Sequence, residues 1–201
     1  AAVNVDLGLE VAVSEFVRVL TPILEEVYAE APGGDPAKAY GDVVVEAYNL
    51  SCGFIDADGR ASDDELRSLL HTFAPLLDRS FSQLTPDDAR ARGLTVTQRK
   101  VLAKPSNLFE VLLAVDRHTA GAGRNPTSLA TIYYQHAMAL GHMTASLDAD
   151  TTRSELLALE DFRELLLERI KRATGRDAPM APGAPGGGVA PAPTQDEAPG
   201  A

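Results

Sequence analysis

Leu66, Leu69, Leu70, Phe73, Leu76 and Leu77 fall at the i, i+3, i+4, i+7 spacing that lines one face of a helix. Strand side chains alternate with a period of two, so no half-buried strand accommodates this stripe. Leu108, Val111, Leu112 and Val115 repeat the pattern, as do Leu156, Leu159, Leu166 and Ile170. No strand pattern competes. The start signals agree: Thr21-Pro22, Asp35-Pro36 and Thr85-Pro86 each pair a capping residue with Pro at a first helical position. Gly93 and Gly175 sit where helices should end. Pro22 and Pro75 interrupt apolar patterns and should break or kink them. The expectation is an all-α compact bundle of six to eight helices over residues 1–177. Residues 178–201 are almost entirely Ala, Pro and Gly. Such a segment cannot bury enough apolar surface to offset its ordering entropy, so a disordered linker or tail is expected there.

The most loaded stretch is FIDADGRASDDEL, residues 54–66, with five carboxylates around one glycine. Set against a calcium loop with Gly59 at its sixth position, Asp56, Asp58, Ser62 and Glu65 occupy positions 3, 5, 9 and 12. Phe54 stands where the first carboxylate belongs, which should weaken or abolish an EF-hand-type site. The same residues also make a capped turn. Gly59 supplies a positive φ. Ser62 and Glu65 form a capping box, and Asp63 and Asp64 suit the positive end of a helix. A second, shorter version begins at Leu147, where LDADTTRSELLALE resembles IDADGRASDDELRSLL with two residues dropped. Its box is Thr152 and Glu155. Two helical halves related by a pseudo-twofold axis would account for this weak repeat.

DADGRASDDEL, followed by LLHTFAPLL, resembles the TerB-like family, named for a tellurite-resistance protein. Residues 46–66, 104–119 and 132–170 also look like the helical N-terminal region of actinobacterial AAA+ ATPases. Those proteins place a TerB-like domain first, then a Pro/Gly-rich linker, then the ATPase. The resemblance covers about 130 residues, mostly between 40 and 172. It implies a compact helical bundle with an acidic, metal-binding surface. It also implies two acidic turns as ligand sets for a divalent cation, calcium or manganese: Asp56, Asp58 and Glu65 in the first, Asp148, Asp150 and Glu155 in the second. Thr151 stands where the first turn has Gly59, so the second turn departs from the pattern.

The function expected is a non-enzymatic interaction or regulatory domain, the N-terminal module of a cytoplasmic AAA+ ATPase, whose partner is that ATPase or its clients. The alternative is a stand-alone divalent-cation binder in a stress or tellurite-resistance system. No G-x-x-x-x-G-K-[ST], G-x-S-x-G or H-E-x-x-H occurs, so no catalytic residue or nucleotide site is expected. A net charge of -11 disfavours nucleic acid. The single cysteine, Cys52, excludes an internal disulfide and fits a reducing, cytoplasmic setting, while no apolar run is long enough for a membrane span. His71, His118, His136 and His142 lack metal-site spacing. Arg90, Arg92, Arg99, Lys100 and Lys104 form a basic stretch that could meet an acidic partner or this domain's own acidic face.

Overall fold

The computed structural model describes residues 7–96, 100–121, 128–148 and 151–175; of residues 120 and 121 only the backbone is described. These residues form seven α-helices and no strand: α1 (Gly8–Glu30), α2 (Ala39–Ile55), α3 (Asp63–Phe73), α4 (Pro86–Ala91), α5 (Asn107–Gly121), α6 (Leu129–Ala145) and α7 (Arg153–Thr174). Short 3₁₀ turns include Pro36–Lys38, Arg79–Gln83 and Val101–Ala103. The all-α expectation is met. The expected tail, from 178 on, lies outside the described residues. Among those described, no helix is long and apolar enough to cross a membrane.

α1, α2 and α6 pack on one another and hold the core. α3 lies on α1 and α2 and carries α4, whereas α7 lies on α5 and α6. The centre is aromatic. Tyr133 of α6, fully buried, meets the Phe16 ring at 5.9 Å and the Phe109 ring at 5.1 Å. Edge-to-face and tilted contacts of this kind suit the positive rim and negative face of the rings.

Local signals and core burial do not always agree. Thr21-Pro22 does not begin a helix; α1 runs through it. Leu9, Val13, Phe16, Leu20 and Leu24 form a continuous buried stripe on either side. Pro22 itself faces outward, where water can take the backbone carbonyl its missing N–H leaves unbonded. Pro75, by contrast, does end a helix, because α3 stops at Phe73. The expected stripes shift by a residue or two. In α5 the buried positions are Phe109, Leu112, Leu113 and Asp116, while Val111 is exposed. In α7 Leu156 is exposed, and Phe162 joins Leu159, Leu166 and Ile170 inside. Leu77, beyond the end of α3, is also exposed.

Candidate functional site

The first acidic turn is short. α2 continues to Ile55, and Phe54, at the place where a calcium loop needs its first carboxylate, is a core residue stacked edge-on against Phe162 at 5.5 Å. Asp56 caps α2 and is itself buried; its backbone carbonyl accepts the Gly59 N–H at 2.9 Å. Gly59, at φ 76°, reverses the chain. Asp58 Oδ1 accepts the Arg60 N–H at 2.8 Å, a local Asx turn. The capping box then closes: Ser62 Oγ accepts from the Glu65 N–H at 3.2 Å, and Glu65 Oε2 accepts from the Ser62 N–H at 2.7 Å. The second turn repeats this chemistry. Thr152 Oγ1 accepts from the Glu155 N–H at 3.2 Å, and Glu155 Oε2 accepts from the Thr152 N–H at 3.0 Å.

The two turns meet. A carboxylate oxygen from each of Glu65, Asp148 and Glu155 lies within 4.8 Å of the other two. Glu65 and Glu155 are nearly inaccessible, at 2 % and 4 % exposure. Asp58 joins from the side, its Oδ2 3.5 Å from the Thr152 hydroxyl. The group of three thus takes Glu65 from the first turn and two members from the second. Asp56 and Asp58 lie outside it, and Asp150 falls outside the described residues.

Two oxygens held by one ion at calcium's 2.3–2.6 Å can stand no more than about 5 Å apart, and these all satisfy that limit. Each Glu commits one oxygen to its cap, and a carboxylate has a second. The cost of the arrangement shows in its proton affinity. Burial pushes Glu65 up to about 7, opposed by its bonds from Ser62 and aided by the charges of Asp148 and Glu155. Glu155 is also raised, first by burial, with Asp58 and Asp148 contributing. Such a group is relieved either by protons or by a cation.

The basic stretch divides. Arg90 turns to the protein's own acidic loop, donating to Asp63 Oδ1 at 2.6 Å and to the Ala61 carbonyl at 2.8 Å. Arg99 lies outside the described residues. Among the histidines, His136 Nδ1 sits 2.9 Å from the Ile132 carbonyl, and His71 lies 3.4 Å from Glu10. Cys52 is fully buried, as its apolar setting suggests.

One polar core residue escapes any local motif. Asp116 of α5, 5 % exposed, accepts the Ser128 hydroxyl at 2.8 Å and the N–H groups of Leu129 and Ala130 at 2.8 and 3.0 Å. It caps α6 from another helix. Its only sequence signal is a charge falling on an apolar stripe.

No family model, no curated protein and no solved structure matches the chain.

Proposed function

We propose that this chain is a non-catalytic helical module that binds a divalent cation, calcium or manganese, between its two acidic turns. The observation that carries this is the convergence of Glu65, Asp148 and Glu155, from turns about ninety residues apart, onto one spot. An acidic cap needs no such partner, and holding two buried carboxylates and the half-buried Asp148 together is unfavourable unless protons or a cation offset their charge. The TerB-like resemblance, with its paired acidic turns, supports the same reading. The cation would join the N-terminal ends of α3 and α7, a regulatory contact.

The test is calorimetric titration of metal-stripped protein with calcium and then manganese, beside a Glu65→Gln/Glu155→Gln variant. Gln preserves both capping boxes while removing the charge. Saturable binding that the variant loses is expected. At a hundred times the dissociation constant it should add about 2.7 kcal/mol, or roughly 5–10 °C in melting temperature. Absence of both heat and melting shift would reduce the two turns to caps.

A second reading, an interaction domain tethered to an AAA+ ATPase, rests on the resemblance and on one further observation. Leu156 and Leu157, next to Glu155, are 55 % and 52 % exposed. Apolar side chains held in water beside a functional site favour a protein-facing role. A native protein of mass well above 21.3 kDa would support it, and ATP turnover by this chain alone would sink it.

A further inference from the structure

Away from the acidic cluster, a cavity of about 270 Å³ opens where α2, α6 and α7 meet the Val101–Ala103 turn and the segment that leads into α5. That volume falls just short of the roughly 300 Å³ at which drug-sized ligand pockets begin, and suits a smaller molecule. Gly53 lets the turn lie close on α2; a Cβ there would stand 2.9 Å from Val101 Cγ1.

The lining is ordered by polarity. Deep inside, the buried Tyr133 hydroxyl donates to Glu46 Oε1 at 2.5 Å. The Ser106 hydroxyl, which accepts the Phe109 N–H and so begins α5, lines the same cavity. A carboxylate has about four acceptor sites, so the Tyr133 donor leaves it room for more. The walls are apolar, from Leu50, Val101 and Phe162. Lys100 and Lys104, both exposed, stand at the mouth. Among the described residues neither lysine has an ion-pair partner, in contrast to Arg90.

We propose that this cavity binds a small amphoteric molecule, with an amine directed to Glu46, a short apolar stem, and an acid group held by Lys100 and Lys104. An anionic floor, an apolar shaft and a cationic mouth match such a molecule end to end. A simple fatty acid would bring no cation to Glu46, and a simple amine would bring no anion to the two lysines.

The experiment is titration of the intact chain, followed by amide NMR shifts, with 6-aminohexanoate, hexanoate and hexylamine. The amino acid should bind about tenfold or more tightly than either half-molecule, since each end adds a charge-assisted bond. Lys100→Ala/Lys104→Ala should reduce it to the level of hexylamine, and Glu46→Gln to the level of hexanoate. The lysine variant alters only exposed side chains, so the test survives if Glu46→Gln fails to fold. No shifts at millimolar 6-aminohexanoate, equal binding of all three probes, or binding indifferent to the lysine substitutions would overturn the proposal.

Discussion

At the scale of single residues, Glu65 does two things at once. It closes a capping box, and it places a charge in a buried acidic group. Its proton affinity rises from an ordinary 4.5 to about 7. A carboxyl that holds its proton more tightly when folded contributes stability that is complete below its unfolded pKa and is lost as pH rises through the folded value. The metal-free protein should therefore lose roughly 2–3 kcal/mol from this group between about pH 5 and about pH 8. Glu65→Gln should flatten that slope in thermal melts followed across the range, and a slope unchanged by the substitution would remove Glu65 as its source. Asp116 is a simpler case. Asp116→Asn keeps one acceptor oxygen but loses the charge facing the start of α6, and urea denaturation should show a loss of about 1–3 kcal/mol. The capping boxes were legible in sequence because a box spans only four residues. The role of Asp116 was not, because its partners lie twelve to fourteen residues away.

At the scale of elements, helix packing decides what propensity alone would misjudge. Gly141 lies inside α6, where Ala is intrinsically better by about 1 kcal/mol. Yet a Cβ there would stand 2.3 Å from Leu159 Cδ2 of α7 and 3.0 Å from the Phe54 ring of α2. Gly141→Ala should destabilise by about 1–2 kcal/mol, overpacking outweighing the gain in helix propensity. Gly41 in α2 has open space at the same position, so Gly41→Ala should instead stabilise by about 0.5–1 kcal/mol. Melting both variants in one series checks the sign of each. α1 teaches the same lesson from the other side. Its Pro22 is a strong local stop signal, and five buried apolar residues spread over four turns outweigh it.

For the whole molecule, the acidic group is where two helix starts on opposite sides of one core come together. α3 is packed with α1, α2 and α4, and α7 with α5 and α6; their first turns meet at Glu65, Asp148 and Glu155. Like charges there push the two helix starts apart, and a cation would draw them together. Amide hydrogen exchange should therefore slow by about tenfold or more at the first turns of α3 and α7 together when calcium or manganese is added. The rest of the core should change little, and the Glu65→Gln/Glu155→Gln variant should show no effect. Slowing at only one of the two turns would mean that the ion does not bridge them.

What the chain's order determined by itself was everything written at short range: the helical period, the capping boxes at Ser62 and Thr152, the reversal at Gly59, and the stop at Gly175. These depend on residues three or four apart, whose geometry follows from the backbone. The tertiary structure alone decided which acids stand together. Glu65 reads locally as a partner for Asp56 and Asp58, yet the carboxylates grouped with it are Asp148 and Glu155. The packing of α3 and α7 into one bundle sets that distance, and no local rule about spacing reaches across some ninety intervening residues. The same holds for the cavity, where Glu46, Ser106 and Tyr133 come from three separate helix starts and faces and share a site only because the core brings their backbones together.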